Sequence, residues 1–269
     1  MKAKVVLITG GSSGIGKAIG IYLSGKGFKV YGTTRNVANY PDFTDFDLLT
    51  LDVRKTETIQ NAVDAVFEKE GRLDVLINNA GIGITGPVEE TPHEEIVKAF
   101  ETNLHGPLHM IKAVLPHMRK QKSGLIVNIT SIAGYMGLPY RGIYSATKGA
   151  LELTTEALRM ETKDFGIQFT NLAPGDIATN IASGRYHSPI SEDSPYFEKY
   201  ARSLDMINAE VDNAGSPISV AKKVFKIITT KRPKVHYTVG APMQKLSIFL
   251  KKILPDKVYE KLLLNHYKL

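Results

Sequence analysis

The chain has 269 residues, of which 43% are hydrophobic, 23% are charged and none is cysteine. Its length suffices for a large core, and α/β folds of this size commonly form a single unit, so we expect one domain over residues 1–269. Without cysteine, disulfides and thiolate metal sites are excluded. The 34 basic and 27 acidic residues give a formal net charge of +7.

The same sequence sets expectations for location and metals. No uninterrupted apolar run approaches the length of a membrane span, and the first strand begins almost at the N-terminus, so we expect a cytoplasmic protein. His105 and His109 lie four residues apart in a helical pattern, but no carboxylate or third histidine shares their spacing. We therefore expect no metal site.

Hydrophobic patterns along the chain alternate between strand and helix periods. Strands are predicted near residues 4–9, 28–33, 47–51, 73–78, 124–129, 167–173 and 235–239. Helices are predicted near residues 14–25, 55–69, 92–120, 143–164 and 217–229. This alternation predicts an α/β fold, a Rossmann-type doubly wound parallel sheet of seven strands with helices on both faces and a C-terminal helical extension. Ligands of such sheets bind at the carboxyl ends of the strands.

A glycine-rich turn follows the first predicted strand. Gly10, Gly14 and Gly16 allow a tight turn, a close approach of the backbone to a pyrophosphate and close helix packing. The start of the next helix offers backbone N–H groups and the positive end of its dipole. This segment predicts the entry of a dinucleotide-binding fold.

Three residues with S-x12-Y-x3-K spacing predict a proton-transfer site: Ser131, Tyr144 and Lys148. Tyr144 and Lys148 lie about one helical turn apart on one face. The phenol of a tyrosine in water has a pKa of about 10, and a nearby cation favours its anion, which makes it a usable acid or base. Ser131 is then expected to hydrogen-bond the substrate oxygen.

Together these residues resemble the short-chain dehydrogenase/reductase family over nearly the whole chain. The T-G-x3-G-x-G loop occupies residues 9–16, the N-N-A-G segment residues 78–81, and the P-G turn Pro174 and Gly175. The overall pattern and the extended C-terminus are most similar to the hydroxysteroid and retinol dehydrogenase-like branch. The resemblance implies an oxidoreductase acting on CH–OH and C=O groups with a nicotinamide cofactor.

The resemblance also assigns expected roles to individual residues. It implies a catalytic tetrad of Asn103, Ser131, Tyr144 and Lys148, in which Asn103 positions a water and Lys148 holds the nicotinamide ribose. Tyr135 and Tyr140 are excluded as the proton donor because neither has a lysine four residues on. The implied cofactor-binding residues are Gly10, Ser12, Ser13, Gly14, Ile15, Gly16, Thr34, Arg35, Asp52, Val53, Asn79, Ala80, Gly81, Tyr144, Lys148, Pro174, Gly175, Ile177 and Thr179.

The end of the second strand indicates which nicotinamide cofactor is used. An acidic residue there would bind the ribose hydroxyls and repel a 2′-phosphate, but this chain has Thr34 and Arg35. We therefore expect a preference for NADP(H) over NAD(H), unless Arg35 only points to solvent. Asp52 resembles the residue that accepts from the adenine amino group.

Substrate choice is expected to depend on a lid over residues 176–215. This segment is rich in aromatic and apolar side chains, which favours a bulky apolar carbonyl or alcohol as substrate. Ser131, Tyr144 and Tyr186 are the candidate substrate contacts. An aromatic segment of this kind also fits plain lid packing.

The C-terminal extension, about residues 241–269, reads as two basic amphipathic helices. Residues 231–269 hold nine Lys or Arg and two acidic residues, which accounts for the net charge of the whole chain. The simplest interpretation is that the apolar faces pack on the body or shield the mouth of the active site. The alternatives are contact with an anionic membrane, with another subunit or with an acyl substrate. No nucleic-acid motif accompanies the charge, so we expect no nucleic-acid partner.

Two functions follow from these patterns. The first is an NADP(H)-dependent oxidoreductase acting on a small-molecule substrate, working as a homodimer or homotetramer by resemblance to the family. The second is a non-catalytic NADP(H)-binding redox sensor. The complete tetrad favours the enzyme, because a sensor needs the glycine loop and Arg35 but not Tyr144.

Overall fold

A seven-stranded parallel sheet forms the centre of the protein. The computed structural model describes residues 3–178, 184–212 and 214–269. The sheet strands are β1 (Val5–Ile8), β2 (Lys29–Thr34), β3 (Asp47–Thr50), β4 (Val75–Asn78), β6 (Gly124–Ile129), β7 (Ile167–Pro174) and β9 (His236–Val239), in the order β3-β2-β1-β4-β6-β7-β9. All seven predicted strands and their parallel pairing are confirmed.

Helices cover both faces of the sheet. The helices of the described residues are α1 (Gly14–Ser24), α2 (Thr56–Glu70), α3 (His93–Phe100), α4 (Gly106–Gln121), α5 (Gly142–Glu161), α6 (Phe197–Asp212), α7 (Pro217–Thr229), α8 (Pro242–Ile253) and α9 (Asp256–Tyr267). Val5 and Leu7 of β1 belong to the core beneath α2 and α4, whereas Val6 and Ile8 belong to the core beneath α1 and α7. Because both faces are buried, β1 is apolar at every position.

The structure differs from the predicted helix over residues 92–120 at one point. α3 and α4 are continuous through a π-helical turn at Glu101–His105. A π turn inserts one extra residue into a helix and is frequent at functional sites. This turn contains Asn103, and hydrophobic periodicity gave no sign of it.

The predicted lid contains a short strand and a helix. β8 (Tyr186–His187) pairs in parallel with β5 (Ile84–Thr85), and α6 follows it. Tyr200 of α6 is buried, and its hydroxyl lies 3.1 Å from both the hydroxyl and the backbone oxygen of Thr85. These contacts attach the segment to the loop that follows β4.

The C-terminal helices pack on the body only in part. Tyr259 and Tyr267 of α9 are buried, and α8 contains no buried residue. Met243, Phe249 and Ile253 of α8 are 72%, 56% and 56% exposed. The interpretation that the apolar faces pack on the body is therefore only partly right: α9 packs through Tyr259 and Tyr267, whereas Val258 and Leu262 of its predicted apolar face are 47% and 46% exposed.

Candidate active site

The glycine loop between β1 and α1 is held by close backbone contacts. Gly10 and Gly14 have φ angles of +65° and +53°, which other residues rarely adopt. A Cβ atom on Gly16 would lie 2.2 Å from the Gly10 backbone oxygen. Only glycine therefore lets the start of α1 approach the loop this closely.

Two polar side chains fix the loop to the end of β4. The Thr9 hydroxyl accepts hydrogen bonds from the backbone N–H groups of Asn79 (2.9 Å) and Ala80 (3.0 Å). The Asn79 amide donates to the backbone oxygens of Thr9 (2.9 Å) and Gly10 (3.1 Å). The Asn79 side chain thus shapes the loop.

A cavity lies in front of the loop and the N-terminus of α1. Ser13, the N-cap residue, makes no capping hydrogen bond with its side chain, and no acidic residue occupies the first turn. The predicted cofactor residues that line this cavity are Gly10, Ser12, Ser13, Gly14, Ile15, Thr34, Arg35, Asp52, Val53, Asn79, Ala80 and Gly81. Gly16 is buried behind it, where it sets the loop geometry.

Three cationic side chains among the described residues line this cavity. Arg35 is exposed, and Arg54 and Lys98 also line the cavity. Arg54 donates to both carboxylate oxygens of Asp52, at 3.1 and 2.8 Å. These hydrogen bonds are the main reason that the pKa of Asp52 lies below its ordinary value, and the charge of Arg35 adds to the effect. Sequence reasoning missed Arg54, although it stands two residues after Asp52.

Ser131, Tyr144 and Lys148 line a second cavity, the candidate catalytic cavity, at the carboxyl ends of the strands. Ser131 precedes a short 3-10 turn, and its Oγ accepts from the Ala133 N–H at 3.2 Å. Tyr144 and Lys148 lie on the first turns of α5, with the Lys148 Nζ 5.9 Å from the Tyr144 ring centroid. Lys148 is buried, and its Nζ donates to the Ile129 backbone oxygen at 3.1 Å.

The two cavities adjoin. Both are lined by Ile15, Asn79 and Gly81, and the second also by Pro174, Gly175 and Ile177. The predicted cofactor residues therefore lie along one continuous edge of the sheet. Thr179 lies outside the described residues.

Asn103 does not line either cavity. It is fully buried in the π-helical turn. Its amide donates to the Ile82 backbone oxygen (3.0 Å) and to the Thr147 hydroxyl (3.2 Å), and its oxygen accepts from the Ile82 N–H (2.9 Å). Both N–H donors are therefore used by the protein, and Asn103 ties the loop after β4 to α5.

The substrate side differs from the sequence prediction in one residue. Tyr186 lies on β8, paired with Ile84, and is not among the residues that line the catalytic cavity. Its neighbour Arg185 lines that cavity, together with Arg141 and Asp176. Arg141 stands three residues before Tyr144, a helical spacing that could have indicated it. Arg185 carries no comparable signal in the sequence.

Tyr135 and Tyr140, which the sequence excluded as the proton donor, have other partners in the structure. The Tyr135 hydroxyl donates to Glu152 at 3.1 Å, and burial, with the charge of Glu152, raises the pKa of Tyr135 above its ordinary value. The same carboxylate lies 2.8 Å from the His236 Nδ1. Tyr140 packs against Tyr200, with ring centroids 5.2 Å apart. Neither tyrosine lines the cavity that contains Lys148.

The arrangement fits a dinucleotide in three respects. The glycine loop leaves no room for a Cβ at Gly16, the N-terminus of α1 faces the first cavity, and cations line that cavity. A nicotinamide reaching the second cavity would adjoin a hydroxyl, a phenol and an amine. Within the described residues, no cluster of three His, Asp or Glu side chains could hold a metal ion.

Comparisons with known proteins agree with this geometry. A family model described as short chain dehydrogenase matches residues 4–189. The 3-ketodihydrosphingosine reductase of Bacteroides thetaiotaomicron is 39% identical over 261 residues, covering 97% of this chain and 96% of that protein. The NADPH-dependent 3-dehydrocapnine reductase of Ornithobacterium rhinotracheale is 30% identical over 278 residues, covering 98% of each.

A solved structure has a similar fold over the whole length of this chain. The crystal structure of a short-chain dehydrogenase from Streptomyces avermitilis has a TM-score of 0.80 at 33% identity, and covers 100% of this chain and 97% of that one. The comparisons confirm the family that the sequence motifs predicted. The chain therefore belongs to the short-chain dehydrogenase/reductase family, whose oxidoreductases interconvert CH–OH and C=O groups with NAD(P).

Proposed function

We propose that the protein is an NADP(H)-dependent reductase of ketones on bulky apolar molecules, with Tyr144 as the proton donor. The observation that carries this proposal is the meeting of Ser131, Tyr144 and Lys148 in one cavity that adjoins the dinucleotide cavity. Among the described residues, no group is hydrogen-bonded to the Tyr144 hydroxyl, which leaves it available to a substrate.

The residues divide the chemistry as follows. A bound nicotinamide supplies the hydride for reduction, or accepts it in the reverse reaction. The Tyr144 hydroxyl gives its proton to the carbonyl oxygen as the carbonyl carbon gains the hydride, so that a ketone becomes a secondary alcohol. Ser131 donates a hydrogen bond to the same oxygen as negative charge develops there. The Lys148 Nζ, held by the Ile129 oxygen, lies 5.9 Å from the Tyr144 ring centroid and places positive charge beside the reacting phenol.

Asn103 acts on this site indirectly in our proposal. Its hydrogen bonds to Ile82 and Thr147 hold the loop after β4 against the helix that carries Tyr144 and Lys148. We assign it a positioning role, and a hydrogen-bonded water on its oxygen would be a further part of that role.

The preference for NADP(H) is supported by charge at the end of β2. Thr34 is followed by Arg35, which lines the cavity and has no acidic residue beside it in sequence. A guanidinium matches a phosphate in geometry and charge. Asp52, the one carboxylate among the described residues that line this cavity, is paired with Arg54 at 2.8 Å. The NADPH-dependent relative supports the same cofactor.

Relatives and cavities support a long-chain ketone as substrate. Two relatives are named as reductases of 3-ketodihydrosphingosine and 3-dehydrocapnine. A third cavity, between the lid and α8, shares Asp176 and Ile177 with the catalytic cavity and is also lined by Met206 and Val239. We propose that this cavity takes the apolar part of the substrate.

Peripheral contact with an anionic membrane is part of the proposal. Met243, Phe249 and Ile253 give α8 an exposed apolar face, and Lys245 and Lys252 lie on the same helix. An amphipathic helix of this composition lies in the membrane interface. Within the part of the chain that the structure describes, no helix is long and apolar enough to cross a bilayer.

Self-association is the other proposed contact. Family members are commonly oligomeric, and Leu153 and Met160 of α5 are 67% and 73% exposed. A second copy would bury such side chains, which supports a homodimer or homotetramer.

The decisive experiment is turnover of 3-ketodihydrosphingosine with NADPH, measured by NADPH absorbance and by isolation of the alcohol. Tyr144→Phe is expected to lower kcat by about 10²- to 10⁴-fold, the usual contribution of a general acid, and to leave NADPH binding largely unchanged. Tyr135→Phe is the matched control, because its hydroxyl is bound to Glu152 outside the cavity. It should keep kcat.

Three results would overturn parts of the proposal. Equal kcat values for Tyr144→Phe and the unmodified protein would remove Tyr144 as the proton donor. Tight NADPH binding without turnover over a broad panel of ketones would favour the redox sensor. Faster turnover of alcohols than of ketones at neutral pH would reverse the direction.

A further inference from the structure

We propose that Arg141 and Arg185 form a binding site for an anionic group on the substrate, such as a sulfonate, phosphate or carboxylate, beside the reacting carbonyl. This inference rests on the proposed reductase function and names its substrate class more closely. The observations are the position of the two guanidinium groups, the absence of a carboxylate paired with either among the described residues, and the chemistry of the cavity that they share.

Arg141 lies at the entrance of the helix that carries the proposed proton donor. It is the N-cap residue of α5, and its Cζ lies 5.7 Å from the Tyr144 ring centroid. It lines the catalytic cavity together with Ser131 and Tyr144. A group bound by Arg141 is therefore a short distance from a carbonyl bound by Ser131 and Tyr144.

Arg185 approaches the same cavity from the lid. Its side chain packs on Gly83, where an added Cβ would lie 2.9 Å from the Arg185 Cγ. Its Nη1 atom is buried and has no hydrogen-bond partner among the described residues. Burial, with the charge of nearby Arg141, lowers the pKa of Arg185. Buried donors without partners are rare in native proteins because each costs stability, and a ligand that fills the cavity would satisfy this one.

The protein does not neutralise these charges. In the described part of the chain, neither guanidinium forms an ion pair with a carboxylate. Asp176 is the acidic residue that lines this cavity, and its Oδ2 accepts a hydrogen bond from the Gln244 side chain. Two guanidinium groups near one carboxylate leave an excess of positive charge, which favours an anion with several oxygens in a forked hydrogen bond.

The charge selects among the ketones that the cavity could accept. A long-chain amino ketone without an anion, such as 3-ketodihydrosphingosine, would bring an ammonium group towards two arginines. An amino ketone that also carries a sulfonate or phosphate would place the anion on Arg141 and Arg185 and its ammonium near Asp176. We infer that the second class is the better substrate.

Calorimetry on the NADP⁺-saturated protein tests the site without turnover. Hexanesulfonate and hexanol have the same short chain and differ in the anionic group. Hexanesulfonate should bind more tightly, and Arg141→Gln and Arg185→Gln should each weaken it by about 10- to 100-fold, as expected when a charged hydrogen bond is lost, while hexanol binding stays unchanged. Arg202→Gln, an exposed arginine of α6 outside the cavity lining, is the matched control and should have no effect.

Equal binding of the two probes, or unchanged sulfonate binding in both arginine variants, would overturn the inference. Two results would assign Arg185 to the cofactor phosphates instead. One is sulfonate binding that is lost when NADP⁺ is added, and the other is weaker NADPH binding in Arg185→Gln.

Kinetics separates this inference from the function on which it rests. The substrates are 3-ketodihydrosphingosine and its analogue with a sulfonate in place of the terminal hydroxyl. The analogue should have the higher kcat/KM, and Arg185→Gln should raise KM for it alone. Tyr144-dependent turnover without preference for the sulfonate would refute the anionic site and keep the reductase. Selective binding of the sulfonate by calorimetry without turnover of either ketone would keep the anionic site and refute the reductase.

Discussion

The two sides of the active-site edge are built differently. On the cofactor side, backbone atoms set the geometry: a Cβ at Gly16 would overlap the Gly10 oxygen at 2.2 Å, and Asn79 locks the loop by two hydrogen bonds. On the substrate side, side chains from the lid and from α8 set it, and α8 has no buried residue. Close backbone contact leaves the sequence of the cofactor side little freedom to vary. The substrate side can change the ligand that it binds through substitutions of its side chains.

Gly16→Ala is the strongest test of the rigid side. The new methyl group would collide with backbone, which cannot rotate away, so we expect NADPH affinity to fall by more than about 100-fold and the melting temperature to drop. Calorimetry and thermal melts measure both. Gly25→Ala at the end of the same helix is the matched control, because its Cβ would have an ordinary contact at 3.5 Å and its φ is −65°. Wild-type NADPH affinity in Gly16→Ala would show that the loop is not rigid.

Arg35→Ala tests a part of the cofactor side that depends on an exposed side chain. We expect NADPH binding to weaken by about 10- to 30-fold, the usual effect of losing a charge-assisted hydrogen bond, and NADH binding to stay unchanged. NADH is the internal control because it lacks the 2′-phosphate. If the binding of both cofactors weakens alike, or the binding of neither changes, Arg35 does not bind the 2′-phosphate.

The same contrast explains what the sequence could predict. Local periodicity and spacing predicted the seven strands, the glycine loop and the residues Ser131, Tyr144 and Lys148. The structure brings the loop and these three residues to one edge of the sheet. The π-helical turn around Asn103 depends on hydrogen bonds to Ile82 and Thr147, which no local pattern encodes.

Contacts between distant residues escaped prediction for the same reason. Arg141 and Arg185 meet only because the lid returns to the start of α5. The hydrogen bond between Glu152 and His236 joins residues 84 positions apart. In the C-terminal extension, periodicity predicted two amphipathic helices, but which side chains of each helix are buried depends on what the helix contacts in space, and α8 contacts the body through the polar Gln244 and Ser247.

Phe249→Ser probes the exposed face of α8 and has the smallest expected effect. Phe249 is 56% exposed, so its loss should leave thermal stability and turnover of a short, soluble ketone unchanged. Binding of the Phe249→Ser protein to anionic lipid vesicles should be about tenfold weaker, because only part of the aromatic surface enters the interface. Val88→Ser is the control: Val88 is 61% exposed, stands beside Glu89 and Glu90, and belongs to a different segment of the chain from the basic helices. Flotation with anionic vesicles, against neutral vesicles, gives the affinities. Vesicle binding that both variants keep would remove Phe249 from the membrane contact, and a change in oligomeric state with Phe249→Ser would assign the face to a subunit contact instead.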